Sequence, residues 1–279
     1  MRPIRSIRLA HFILRQRAKR LLLAIAALGV ISGLSMLSMM GRMSFVEHAY
    51  GWHGTASFCD SILWLFLGHP TMPVPRWMSV WCVVAASALL DARGAAGLDQ
   101  GLVASGSRRV AWLAFVLVSV AIPLLAVFCV VLWCLMWAWL GGLVATLAPM
   151  AIGELSLGLL PADLSVGDAL AFLALVGMGS ALLGLAETVA GLWLGPLVSF
   201  GLSVATFSAS ALLPSAPLLG SLLMACRVFP AGVQLARGGL SFQLPLLVVL
   251  VLLLLCIAVA VCGCAAFSRS DLGVVGAKR

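Results

Sequence analysis

Long apolar runs alternate with short polar segments along this chain, and the lengths of the runs select its architecture. A lipid hydrocarbon core about 30 Å thick needs about 20 consecutive, mostly apolar residues to be crossed by one helix. Leu21 to Met40 supplies such a run directly after a basic start. It is longer than the apolar region of a secretory signal and continues into Gly41-Arg42-Met43, so it reads as a retained first helix. A second helix is expected over 75–91, with Trp77 and Trp81 as headgroup-level anchors. A third, over 110–140, is long enough that it must tilt, kink or protrude; Pro123 is placed to kink it, and Trp133, Trp137 and Trp139 to mark its far interface. From Ala169 to Leu213 the chain is apolar except at Glu187. This is too long for one helix and fits two, 169–186 and 191–213, with a tight turn from Glu187 to Gly191. Were Glu187 buried instead, it would be a functional carboxylate inside the apolar region. A last helix is expected over 244–267. Lipid tolerates only helices and closed barrels, and the Leu/Val/Ala runs lack barrel alternation.

The expected fold is therefore an all-α integral membrane protein: a polytopic bundle of six transmembrane helices over 21–279, preceded by a basic segment over 1–20. In that segment Arg5, Arg8, Arg15 and Lys19 fall near one helical face with Ile7 and Leu14 opposite, while Leu9 and Phe12 fall on the basic side. This suits an amphipathic helix lying on anionic lipid, the alternative being a disordered basic tail that only sets topology. Residues 42–75 read as a solvent-side loop. Within it, Phe58 to Leu67 is apolar but too short to span, which places it at the interface.

Composition agrees. The chain is 63% hydrophobic and 9% charged, too few polar side chains to cover a soluble protein of this size. The net charge of +8 does not point to nucleic acid, because seven of the seventeen bases precede the first apolar run. With the N-terminus inside, thirteen Lys and Arg fall on inner segments (1–20, 91–109, 186–191, 268–279) and four on outer ones. The positive-inside rule then puts both termini in the cytoplasm of a cell-membrane protein.

Catalytic chemistry is not expected on this chain. The only lysines, Lys19 and Lys278, lie outside any phosphate-binding loop. There is no Gly-x-Ser-x-Gly or His-Glu-x-x-His, and Ser105-Gly106-Ser107 lacks a nucleophile's strand-turn-helix setting. Six of the eight cysteines lie within apolar runs and none forms a CxxC pair, so neither metal nor cofactor is expected. Cys59 and Cys226 fall in outer segments, and whether they pair stays open. A loop metal site from Glu47, His48, His53 and His69 is geometrically conceivable, but loop histidines are usually solvated.

The inner segment 91–109 mixes acids, bases, glycines and the apolar residues Leu98, Leu102 and Val103. It reads either as a docking segment for a soluble partner or as an ordinary topogenic loop. Pro75-Arg-Trp77, then Gly97-Leu-Asp-Gln-Gly-Leu-Val-Ala-Ser-Gly106-Ser-Arg-Arg-Val-Ala-Trp112, and the ending Phe267-Ser-Arg-Ser-Asp-Leu272 resemble the permease subunits of ABC-2-type exporters. Cys59-Asp60-Ser-Ile-Leu63 to Gly68 is similar to that family's first outer segment. The resemblance covers the whole chain in topology and about thirty residues in motif. It implies a permease that pairs with a second copy or paralogue and is driven by a separate cytoplasmic ABC ATPase. That ATPase would dock on 91–109 and the N-terminal helix, with Asp99, Gln100, Ser105, Arg108 and Arg109 as the coupling residues. An amphipathic cargo (peptide, drug or lipid-like) is the implied substrate. The chain departs from the family at Asp99-Gln100, ahead of the Ser-Gly segment, and in having few polar residues in its spans. A non-transport membrane protein, with an assembly, immunity or scaffold role and no ATPase partner, shares the same hydropathy.

Overall fold

The computed structural model describes residues 2–16, 18–69, 74–92, 107–213, 218–229 and 245–269. Among these residues the chain is all-helical, with one isolated bridge between Ser57 and Val144. The helices are α1 (Arg2–Gln16), α2 (Ala18–Tyr50), α3 (Phe58–Leu65), α4 (Pro75–Ala92), α5 (Arg108–Leu140), α6 (Ile152–Leu155), α7 (Val166–Leu194), α8 (Pro196–Leu212), α9 (Leu219–Leu222), α10 (Ala225–Val228) and α11 (Pro245–Arg269). Four of them, α2, α5, α7 and α11, are long and apolar enough to cross a membrane. Their outward sides are apolar too: Leu23 and Leu37 of α2, Phe128 of α5 and Leu254 and Val261 of α11 are exposed. Such a surface suits lipid rather than water.

Helix boundaries follow local breakers, and here the structure corrects the sequence reading. The expected loop from residue 42 begins later, because nothing stops α2 before Gly51, whose φ of +66° suits only glycine well. The expected turn at Glu187 to Gly191 does not form. Glu-Thr-Val-Ala-Gly contains no strong breaker, so α7 runs on to Leu194. The break comes at Gly195, with φ +85°, followed by Pro196 at the first position of α8. The start of α7 is set by a capping box: Ser165 Oγ accepts from Asp168 N at 3.1 Å, and Ser165 N donates to the Asp168 carboxylate at 3.0 Å.

Helix α7 is the centre of the bundle, packed against α4, α5, α8 and α11. Its crossing with α5 depends on a proline and a glycine. Pro123 has no N–H to donate to the Ser119 carbonyl one turn earlier. Gly184 packs directly on that carbonyl, so closely that a Cβ there would lie 2.1 Å from the oxygen. Beside it, Ser119 Oγ and Thr188 Oγ1 share a hydrogen bond of 2.6 Å.

The α2–α5 crossing is built on a second pairing of small and large residues. Gly29 and Gly33, one turn apart on α2, receive the rings of Trp133 and Trp137, one turn apart on α5. Trp133 Nε1 donates to the Ile25 carbonyl at 3.1 Å and Trp137 Nε1 to the Gly29 carbonyl at 3.0 Å. These two tryptophans are thus helix clamps rather than interface markers; Trp139, 70% exposed, keeps the outward position. Trp77 and Trp81, expected as headgroup anchors, are fully buried.

The clamp predicts a positional contrast. A Cβ on Gly29 would lie 2.7 Å from the Trp133 ring, whereas one on Gly41 of the same helix meets nothing within 4 Å. Gly29→Ala should therefore destabilise the detergent-solubilised protein by about 1–3 kcal/mol through overpacking. Gly41→Ala should be neutral or slightly stabilising. Thermal unfolding followed by tryptophan fluorescence distinguishes the two.

Candidate functional site

The two ends of the bundle differ in construction. At one end Trp112 (α5), Phe267 (α11), Ile13 (α1), Val189 and Leu192 (α7) pack together. Trp112 Nε1 donates to the Ala260 carbonyl at 2.9 Å, and its ring lies 5.5 Å from Phe267. Alongside, α1 lays Leu9, Ala10, Ile13 and Leu14 against Ala114, Val118 and Ile122 of α5. Arg8, His11 and Arg15 remain exposed, together with Ile7 and Phe12.

Of the five residues expected to couple to a partner, Asp99, Gln100 and Ser105 lie outside the described residues, as do Asp271 and Leu272 of the chain's ending. Arg108 and Arg109 open α5, and both are exposed. Ser107 occupies the N-cap without a side-chain cap bond, and the first turn contains no acid. Two cations at the positive end of a helix dipole are unfavourable by roughly 0.3–1 kcal/mol each.

The opposite end is closed by short buried segments. The apolar stretch Phe58 to Leu67, expected at the interface, is instead buried within the protein; every residue of α3 from Cys59 to Leu65 is buried. Its backbone finds partners inside the chain. Ala225 N donates to the Phe66 carbonyl at 2.9 Å and Cys226 N to the Leu67 carbonyl at 3.0 Å, which fastens α3 to α10. Trp77 Nε1 donates to the Leu223 carbonyl at 2.9 Å. Phe66, Trp77, Trp81, Phe172 and Phe207 form a continuous aromatic core around this junction.

Two buried charges organise this end. The Asp60 carboxylate, fully buried, accepts from the backbone N–H of Ser57 (2.7 Å), Met150 (3.1 Å), Ala151 (3.1 Å) and Ile152 (3.1 Å). It caps α3 and simultaneously holds the chain entering α6. Arg227 of α10 is also buried; its guanidinium donates to the Ser210 carbonyl, the Ala211 carbonyl (3.1 Å) and Ser221 Oγ (2.7 Å). A cation on the last carbonyls of α8 is the favourable sense of the dipole. Burial and then Arg227 hold the His69 imidazole below its ordinary pKa. Cys59 and Cys226 are both unpaired thiols. Burial pushes each up to about 12, so neither is a ready nucleophile.

Sequence reasoning placed Glu187 in a turn; the structure buries it on α7 at 2% exposure, about two turns from the helix end. Ser203 of α8 is the side-chain hydroxyl that interacts with its carboxyl group. Ser199 Oγ bonds the Glu187 carbonyl at 2.9 Å. Among the described residues no three metal-ligating side chains converge, and the loop imidazole of His53 pairs instead with Glu47 at 3.6 Å.

The Asp60 cradle yields a stability prediction. Asn offers one acceptor oxygen and turns an NH2 toward backbone donors, so Asp60→Asn should cost about 3 kcal/mol or more. Asp168→Asn, at a solvent-facing capping box, should cost about 1 kcal/mol or less. Comparing the two melting curves checks this ranking. The chain matches no protein-family model, and comparison with curated proteins and with solved structures found no match.

Proposed function

We propose that this chain is the transmembrane permease subunit of an ATP-driven exporter in the cell membrane, working with a separate cytoplasmic ABC ATPase and a second permease copy or paralogue. The observation that carries this reading is a composite cationic face. Because α1 packs along the first turns of α5, the exposed Arg8, Arg15, Lys19, Arg20, Arg108 and Arg109 belong to one end of the bundle. The positive-inside rule makes that end cytoplasmic. It is also the end from which the 93–106 connection, with Asp99, Gln100 and Ser105, leaves α4 and enters α5.

Support for a partner, rather than lipid alone, comes from the placement of Arg108 and Arg109. They are exposed at the positive end of the helix dipole, where an acidic surface on a docked protein would be favourable. A rigid α1–α5 contact would then carry movement of the docked ATPase into α5, and through the Ser119–Gly184 crossing into α7. On this reading α4 and α8 cross the membrane with the four longer helices, giving six spans with both termini inside. The N-terminal helix lies at the inner interface with Ile7 and Phe12 toward lipid. The cargo is amphipathic, and this chain has no catalytic role of its own.

The test is affinity capture of the detergent-solubilised chain, together with in-cell cross-linking. A soluble protein bearing a Gly-x-x-x-x-Gly-Lys-Ser/Thr loop should be recovered with the native chain and reduced about tenfold or more with Arg108→Glu/Arg109→Glu, a loss of order 1.4 kcal/mol or more. Glu154→Lys, on an exposed residue at the other end, should leave recovery unchanged. Unchanged recovery with the Arg108/Arg109 variant refutes the docking assignment. Absence of any such ATPase with the native chain supports the non-transport reading instead.

A further inference from the structure

A cleft of about 420 Å³ opens between the last third of α2, the end of α3, the start of α4 and the turn after α6. Its polar lining carries two cations, Arg42 and Arg76, with the His69 imidazole and the hydroxyls of Ser38 and Ser156. No acid contributes to the lining, and among the described residues neither arginine has a carboxylate within ion-pair distance. The volume falls within the range of small-molecule sites, about 300–1,000 Å³.

The two guanidiniums are positioned but not used up. Arg76 lies over the Trp64 ring, 4.2 Å from its centre, and donates to Ser38 Oγ at 3.3 Å; its Nε is buried with no hydrogen-bond partner. Arg42 lies 5.0 Å from the Phe45 ring centre, and its Nε donates to the Leu155 carbonyl at 3.3 Å. Each guanidinium has five N–H donors, so most remain available. Stacking on an aromatic face fixes the plane and leaves the edge donors pointing away, the arrangement that recognises an oxyanion. Two like charges and a buried, unbonded N–H are costly in an otherwise apolar wall unless a ligand compensates them.

The depth of the cleft defines the rest of the ligand. Arg42 comes two residues after the apolar run Leu21 to Met40, and Arg76 is the second residue of α4. Both therefore sit at the boundary between apolar and polar surroundings, where headgroups lie. Leu67, Val74 and Leu159 give the same cleft an apolar side. We propose that this cleft binds an amphiphile through its phosphate or carboxylate head, with the oxyanion held between Arg42 and Arg76 and the tail against the apolar wall. The proposal rests on the cleft's geometry and on α2 crossing the membrane, and stands whether or not the chain is a permease.

The test uses the full chain purified in a neutral maltoside detergent, with dodecyl phosphate as the probe. Trp64 fluorescence and melting temperature should both change saturably. The apparent affinity should fall about tenfold or more in Arg42→Gln and in Arg76→Gln, consistent with loss of one charge-assisted contact. Arg42→Lys should restore much of it. Inorganic phosphate, which has the head without the tail, should not saturate in the same concentration range. Equal affinity in the Gln variants, no saturable response, or equal saturation by inorganic phosphate would each overturn the proposal. If Arg76→Gln itself lowers the melting temperature, the more peripheral Arg42→Gln and Arg42→Lys pair decides.

Discussion

Polar groups that cannot reach water must be satisfied within the chain, and this constraint organises the rest of the structure. The protein has few polar side chains to spend on it, so tryptophan carries much of the task. Trp77, Trp112, Trp133 and Trp137 each bury an apolar ring and donate an indole N–H to a backbone carbonyl on another element. In apolar surroundings such a bond has no competing water, and leaving the donor unpaired is costly. Three of these four lie on α5, which thereby ties α2 at one end and α11 at the other. Glycines at the facing positions allow the approach, and the Pro123–Gly184 contact extends the same close packing to α7.

The two ends of the bundle solve the problem differently, and the difference bears on function. At the end holding α3, α9 and α10, the described backbone from Ala56 to Gly68 and from Gly220 to Val228 is almost entirely buried and tied to its neighbours. Asp60 gathers four N–H groups, Arg227 collects the final carbonyls of α8, and α10 donates two main-chain bonds to the carbonyls of Phe66 and Leu67 just after α3. Non-helical backbone at membrane depth is tolerated only when enclosed by protein in this way. The other end is open, cationic and built from exposed arginines on two helices.

Much of the fold was legible in the sequence because run length and hydropathy respond to one dominant cost, the exposure of backbone to lipid. The first, third and last long helices and the α4 segment follow from it directly. What hydropathy could not show was the interior. Trp77 and Trp81 satisfied the pattern of interface anchors equally well, and only their neighbours reveal that they are core. The same holds for Phe58 to Leu67, whose shortness implied the surface when the backbone partners of Phe66 and Leu67, Ala225 and Cys226, lay far along the chain. The α7–α8 boundary was misplaced for a different reason. A lone charge at Glu187 was weighted above Gly195-Pro196, although the dipeptide is the stronger breaker and Glu187 is buried within α7. Of the coupling residues, only Arg108 and Arg109 fall within the described structure. The Arg42–Arg76 cleft had no sequence signal, since its parts come from four separated segments.

The proposed arrangement has six helices crossing the membrane, with α7 and α8 as a crossing pair around Gly195. Single cysteines introduced in a chain whose native cysteines are replaced by alanine, and probed with a membrane-impermeant maleimide from each side, test it most directly. His11→Cys and Leu194→Cys should label from one side, and Glu154→Cys and Leu213→Cys from the other; all four native residues are exposed. Labelling of positions 194 and 213 from the same side would mean that α8 does not cross, and would contradict the account.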